Sequence, residues 1–202
     1  MRTEYQKEKD FLKALAVKFG VSKDGSRASV LTFSFNAELT IKFKDHTDIT
    51  TFSNAVDAIP LMGSTTRIDK ALRLTQSKMF TLESGARATT PKVLILLTDG
   101  SQTKDAGAED PGDIADELRQ DGINVIVIGI GAGTDPKELA HMAGGVDNAF
   151  SAATFDELIG GDFIANIVEK TCNVCKYDKL YAFQSVFFNF CTQNTWLVRN
   201  RI

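Results

Sequence analysis

Two stretches of continuous apolar sequence constrain the fold of this chain more than any other feature. One covers residues 92–98 and follows Pro91, and the other covers residues 123–130 and lies between two glycines. Short apolar runs without polar alternation are typical of parallel strands that are covered on both faces. The sequence therefore predicts a sheet that is buried between two layers of helices.

Strands and helices alternate around these two runs. Residues 28–35 predict a third strand and residues 39–43 predict an edge strand, because the latter alternate in polarity. Apolar residues at helical spacing predict helices over residues 5–19, 52–59, 68–75, 114–118, 136–142 and 155–168. This order predicts an α/β fold with a doubly wound, mostly parallel sheet and right-handed crossovers.

The sequence changes character near residue 170. A chain of 202 residues suffices for one domain with an additional segment. We predict a domain over residues 1–170 and a Cys- and Phe-rich tail over residues 171–202, which holds all three cysteines, Cys172, Cys175 and Cys191. At least one thiol lacks an intrachain partner because their number is odd. The stretch 180–198 is long enough to cross a bilayer, but its many polar side chains argue against that and favour a packed extension.

Charge and composition exclude several function classes. The net charge is −3 and the pI is about 5.4, so the basic excess that nucleic-acid binding needs is missing. Only two histidines, His46 and His141, are present, which argues against a His-rich metal centre or a Ser-His-Asp triad. The polar first ten residues contain no apolar leader, so we predict no signal peptide in the sequence as given.

A carboxylate lies at the end of the most apolar strand, in the sequence Thr98-Asp99-Gly100. Ligands of open α/β sheets bind at the carboxyl ends of the strands. A lone carboxylate followed by glycine suits a hard cation at this position. An aspartate that caps a turn explains the same residues equally well.

A hydroxyl-rich loop over residues 63–67 leads into the third predicted helix. Hydroxyl oxygens can bind Mg²⁺, which keeps several waters and takes few protein ligands. The alternative is helix capping by Thr65 or Thr66, which is common at such positions.

Four segments in this order resemble the von Willebrand factor type A domain. They are the strand ASVLTFS, the loop GSTTRIDKAL, the strand VLILLTDG, and the strand INVIVIGIGAG with its DPKEL helix, and the resemblance covers about residues 4–170. It implies a Rossmann-like sheet and a metal-ion-dependent adhesion site. By the resemblance, Thr66 and Asp99 hold Mg²⁺ (Mn²⁺ or Ca²⁺ in some members), and the ligand face is lined by Ser64, Thr65 and Ser101.

The chain departs from this family at its first strand. That strand, which ends in Asp-x-Ser-x-Ser, should precede the first helix, but only four residues are available there. The metal would then lose one of its three loops, so we expect weak binding or none. The sheet would also have a gap between the strands at residues 28–35 and 92–98. We expect these strands to close up, a tail segment such as residues 186–190 to fill the gap, or the chain to be unstable.

The resemblance implies a non-enzymatic, secreted module that binds a protein ligand, such as an extracellular matrix component, through a ligand carboxylate. It also implies structural disulfides, for which Cys172, Cys175 and Cys191 are the candidates. Separately, C-x-x-C at residues 172–175 lacks the second pair that zinc requires. Two alternatives remain. One is a metal-independent structural or interaction domain. The other is an enzyme that binds a nucleotide at residues 129–133, where Thr134 replaces the third glycine of the fingerprint.

Overall fold

A computed structural model of the chain describes residues 2–61, 65–176 and 194–199. Within these residues the strands are β1 (Arg27–Phe33), β2 (Ala37–Ile41), β3 (Lys92–Thr98), β4 (Ile123–Ile130), β5 (Ala149–Ala152) and β6 (Asn194–Arg199). The helices are α1 (Arg2–Lys18), α2 (Ile49–Ala58), α3 (Ile68–Leu74), α4 (Pro111–Gln120), α5 (Pro136–Ala143), α6 (Phe155–Ile159) and α7 (Gly161–Lys176). A π-helical turn at Thr75–Met79 extends α3, and a 3₁₀ turn at Val146–Asn148 precedes β5.

The strands form one sheet in the order β2-β1-β6-β3-β4-β5. β2 pairs antiparallel with β1, and every other neighbouring pair is parallel. The predicted α/β fold with a doubly wound, mostly parallel sheet is therefore confirmed. Because the parallel strands point the same way, the loops after β3 and β4 emerge at the same edge of the sheet.

Both faces of the sheet are buried, as the two apolar runs predict. Alternate residues of β3, such as Val93 and Ile95, pack in a core with apolar side chains of α1, α2, α6 and α7. The intervening Leu94 and Leu96 pack in a second core with side chains of α3, α4 and α5. A strand that faces a core on each side needs apolar residues at every position, which explains the absence of alternation.

Local sequence sets the ends of several helices. Asp110 and Asp135 cap α4 and α5, and each accepts a hydrogen bond from the backbone N–H two residues later, at 2.8 and 2.9 Å. The prolines that follow occupy the first helical position, where no N–H is needed. Gly20 follows α1 with φ 66°, a left-handed conformation that glycine adopts without steric cost.

A segment of the predicted tail fills the gap that the sequence predicts. β6 lies between β1 and β3 and is parallel to both, with residues 194–199 in register with residues 27–32 of β1. Residues 194–199 are also in register with residues 92–97 of β3. The filling strand therefore comes from residues 194–199, whereas the predicted segment 186–190 lies outside the described residues.

The structure also differs from the predicted elements in detail. β5 was not predicted, because it is a four-residue edge strand with little apolar pattern. The helix predicted over residues 155–168 is two helices, since Gly160 between them has extended backbone angles. In the described part of the chain, no helix has the length and apolarity that crossing a membrane requires.

Candidate functional site

The carboxyl edge of the sheet brings together two of the loops singled out in the sequence. Thr66 lies just before α3, and Asp99 directly follows β3. The Thr66 N–H donates to Thr103 Oγ1 at 3.1 Å, and the Thr103 N–H donates to the Thr66 carbonyl at 2.8 Å. An ideal Cβ placed on Gly100 would lie 3.3 Å from Thr66 Oγ1. The hydroxyl of Thr66 therefore lies against the backbone of the residue after Asp99.

The residues expected to line the ligand face have different surroundings. The Thr65 side chain is partly buried, and its Oγ1 is buried without a hydrogen-bond partner. Ser101 uses both its N–H and its Oγ to contact the Gly133 carbonyl, at 3.1 and 3.3 Å. Ser64 lies outside the described residues. A buried, unpartnered hydroxyl is a spare oxygen donor beside Thr66, of the kind that a hard cation accepts.

The loop after β4 packs directly behind Asp99. An ideal Cβ on Gly133 would lie 2.5 Å from the Asp99 carbonyl oxygen, too close for any side chain. A Cβ on Gly129 would meet Leu139 at 2.4 Å. These glycines, which the sequence offers as part of a nucleotide loop, thus permit close contacts within the protein itself.

A buried ion-pair network lies beneath the two loops. Arg67 is 6% exposed and Asp69 is 2% exposed, and they form two parallel hydrogen bonds of 2.8 and 2.6 Å. Arg67 also donates to both carboxylate oxygens of Asp105, at 2.9 and 3.1 Å. Bidentate contacts between guanidinium and carboxylate are among the strongest polar contacts in proteins. The network fixes the start of α3 against the loop after β3.

Gln102 joins the network to the Asp99 loop. Its Nε2 donates to Asp69 Oδ1 at 2.8 Å, and its Oε1 accepts from the Asp69 N–H at 3.2 Å. Its own N–H donates to Glu138 Oε1 of α5 at 3.0 Å. The start of α3, the loop after β3 and α5 are therefore linked through the side chain and the backbone of one buried residue.

The network changes the protonation of its members. Burial alone would raise the pKa of Asp69, but hydrogen bonds from Arg67, Gln102 and the backbone hold this pKa well below its usual range. The hydrogen bond to Asp69 raises the pKa of Arg67 above its ordinary value. Both groups are therefore charged at neutral pH. Sequence reasoning missed this pair; its signal is the Arg-x-Asp spacing at the start of α3.

A cleft of about 590 Å³ adjoins the site on the side of α4 and α5. Its walls carry side chains of both charges, among them Lys104, Asp105, Lys137, Glu138 and His141. Glu109, which also lines the cleft, and Glu117 each bind Arg73 at 2.6 Å. A mixed, charged surface of this kind suits a polar protein ligand better than an apolar small molecule.

The other residues singled out in the sequence lie in the wall of this cleft, elsewhere in the fold, or outside the described side chains. His46 is partly buried and precedes α2, whereas His141 is exposed on α5, 3.8 Å from a carboxylate oxygen of Asp110. Cys172 and Cys175 lie on α7, with only their backbone described, and Cys191 lies outside the described residues. The disulfides stay a prediction.

Comparison with known proteins agrees with this geometry. The family model described as von Willebrand factor type A domain matches residues 1–165. The chain is 26% identical over 180 residues to von Willebrand factor A domain-containing protein 2 of Xenopus laevis, covering 86% of the chain and 22% of that protein. It is 33% identical over 178 residues to the collagen alpha-6(VI) chain of Mus musculus, covering 87% of the chain and 8% of that protein.

Human cochlin is 27% identical over 135 residues, covering 67% of the chain and 24% of that protein. The chain thus spans about a quarter or less of these relatives. Among solved structures, proximal thread matrix protein 1 from the mussel byssus matches with a TM-score of 0.78 and 26% identity, over 85% of this chain and 44% of that one. A form described as having a zinc-occupied MIDAS motif matches with a TM-score of 0.77 and 25% identity, over the same shares. By sequence and by structure, this chain belongs to the von Willebrand factor type A domain family.

Proposed function

We propose that this chain is a non-enzymatic adhesion module of an extracellular matrix-type protein, and that it binds a protein ligand at the carboxyl edge of its sheet. The observation that carries the proposal is the proximity of the Thr66 hydroxyl to Gly100, the residue that follows Asp99, since an ideal Cβ on Gly100 would lie 3.3 Å from Thr66 Oγ1. The relatives support it, because cochlin, collagen VI and the byssus matrix protein contain similar domains. Secretion is part of the same proposal.

The donor atoms at this edge fit a hard divalent cation. Asp99 offers a carboxylate, Thr66 offers a hydroxyl, and Thr65 has a buried Oγ1 without a hydrogen-bond partner. Oxygen donors of this kind suit Mg²⁺, and also Mn²⁺ or Ca²⁺. When bound, the ion would supply a Lewis-acidic position for a carboxylate of the ligand. Thr66 and Asp99 would hold it, while Ser64, Thr65 and Ser101 would border the ligand.

Two protein ligands are few for a stable metal site, so we propose that the site is incomplete and binds metal weakly. The strand next to β3 favours this view. β6 has the sequence NTWLVR, and none of its side chains is a carboxylate. The same observation favours the second candidate function, in which the domain binds its partner without metal.

Titration calorimetry with Mg²⁺, Mn²⁺ and Zn²⁺ separates these candidates. We expect dissociation constants well above 1 μM for the unmodified chain, and loss of binding in Asp99→Asn, which keeps the side-chain volume. Asp147→Asn is the matched control, because Asp147 is exposed in the turn before β5. Metal binding that survives Asp99→Asn would overturn the metal site.

Ligand binding provides the second readout. Surface plasmon resonance on matrix extracts, with Mg²⁺ or with EDTA, tests whether any captured protein depends on the metal. Binding that is lost with EDTA and with Asp99→Asn supports the metal-dependent module. Binding unchanged by either supports the metal-independent domain, and retention of an ATP or NAD analogue in place of a protein would overturn the adhesion module.

A further inference from the structure

Two arginines meet at the amino-terminal edge of the sheet, opposite to the edge that carries Thr66 and Asp99. Arg27 begins β1, and Arg87 lies in the segment that precedes β3. Arg27 Nη1 donates to the Gly85 carbonyl at 2.8 Å, and Arg87 Nη2 donates to the Gly25 carbonyl at 3.0 Å. Each arginine thus binds the glycine two residues before the other one, and this reciprocal contact holds the two guanidinium groups side by side.

The backbone around this pair is tightly constrained. An ideal Cβ on Gly25 would lie 2.5 Å from the Gly20 carbonyl oxygen, and one on Gly85 would lie 2.7 Å from Lys44 Cβ. Gly85 also has φ 91°, which other residues rarely adopt. Both carbonyl acceptors are therefore fixed in place, and the two guanidinium groups are positioned before any ligand arrives.

The pair places two positive charges in a partly buried location. Burial lowers the pKa of Arg87, and the charge of Arg27 lowers it further, although arginine stays protonated at neutral pH. Arg27 Nε is buried without a hydrogen-bond partner, and no described residue forms an ion pair with Arg27. A buried N–H donor on a cation costs free energy until an acceptor reaches it.

We propose that Arg27 and Arg87 form a binding site for a tetrahedral oxyanion, either a sulfate or a phosphate group. Guanidinium groups present paired N–H donors that match the oxygen spacing of such anions, and a doubly charged anion offsets the repulsion between them. Lys92, which begins β3, adds a third positive charge at the same edge, because both it and Arg27 are in register with Asn194. This site is independent of the proposed adhesion surface.

The test is titration of the full chain with sodium sulfate and sodium phosphate, with sodium chloride at equal ionic strength as the reference. We expect a saturable rise in Tm with the divalent anions and none with chloride, since a ligand that binds only the folded state stabilises it. An equal response to all three salts would overturn the proposal.

Variants assign the effect to the arginines. Arg27→Gln and Arg87→Gln should each weaken sulfate binding at least tenfold, while Lys104→Gln, which removes one exposed charge near the opposite edge, should change it less than twofold. Arg27→Lys keeps the charge but loses the paired N–H donors of the guanidinium group. We therefore expect it to weaken sulfate binding at least threefold, and this variant remains informative if the Gln variants fail to fold. Equal affinity in Arg27→Lys and the unmodified chain would contradict the geometry.

A second arm identifies the source of the oxyanion. A sulfated monosaccharide is compared with its unsulfated parent and with inorganic sulfate. A sulfate ester that binds at least tenfold more tightly than inorganic sulfate indicates a glycan, whereas equal binding indicates the free anion. Binding of the unsulfated sugar as tight as that of its ester would overturn the oxyanion site.

Discussion

Replacing Leu197 by proline tests whether β6 completes the sheet. Leu197 is in register with Val30 of β1 and with Ile95 of β3, in the middle of the strand order. Proline has no N–H, and its ring is not tolerated in a strand that is paired on both sides. The lost ladder hydrogen bond is worth about 1 kcal/mol, and its unpaired acceptor costs about 2 kcal/mol more. We therefore expect the free energy of unfolding to fall by about 3 kcal/mol.

Urea unfolding measures this loss. Trp196 in β6 is the single tryptophan of the chain, so its fluorescence follows the strand while circular dichroism follows the helices. With a denaturant slope of about 2 kcal/mol per molar urea, the midpoint should fall by about 1.5 M. The control is Leu197→Ile, which keeps the N–H and should cost less than about 1.5 kcal/mol.

Hydrogen exchange provides an independent check on the same strand. If β6 lies between β1 and β3, the amides of both neighbouring strands should exchange only on global unfolding in the unmodified chain. In Leu197→Pro, protection should fall on both strands together. Equal midpoints for the Pro and Ile variants, with unprotected amides in β1, would refute the placement of β6.

Three further changes test the core and the site. Asp69→Asn should cost about 3 kcal/mol at pH 7, because it leaves Arg67 with one fewer carboxylate in a buried place. The pKa of Asp69 is depressed on folding, so this contribution is complete above about pH 5 and is lost gradually as the pH falls towards the folded pKa, and the difference in urea midpoint between the two proteins should be smaller at about pH 3 than at pH 7. Gly133→Ala should cost about 1–3 kcal/mol, measured by calorimetry, since its Cβ would lie 2.5 Å from the Asp99 carbonyl oxygen. Phe11→Ala, in the core against α7, should cost about 3–5 kcal/mol by urea titration, whereas Asp147→Asn at the surface should cost less than about 0.5 kcal/mol.

The strands that the sequence predicts best are those whose environment is uniform. β3 and β4 have the predicted bounds. Both faces of each strand are buried, and Pro91 and the flanking glycines mark the ends of the two apolar stretches. β5 has only four residues at the edge of the sheet, so neither apolarity nor alternation marks it. The break between α6 and α7 depends on the backbone of Gly160, which an apolar pattern at helical spacing does not detect.

The sequence also predicts one part of the candidate site better than the other. That Thr66 and Asp99 lie at one edge follows from the order of strands and loops, which the sequence contains. The network of Arg67, Asp69 and Gln102 depends on which charged side chains become buried when α3 packs against the loop after β3. Charged residues are normally expected at the surface, so a local pattern assigns them there. Burial of a matched pair becomes visible only in three dimensions.

β6 shows why a segment can complete the sheet without supplying side chains that bind a metal. A gap between β1 and β3 requires only a backbone that can pair on both sides, and a short β-prone segment such as NTWLVR meets that need. A metal site requires particular side chains at the end of that strand. β6 ends at Arg199 and has no carboxylate side chain, so it pairs with the sheet but would offer no anionic ligand to the proposed cation. We therefore expect fold and metal affinity to be separable in this chain: a change that removes β6 pairing should destabilise the fold, whereas a change at Asp99 should leave the fold intact.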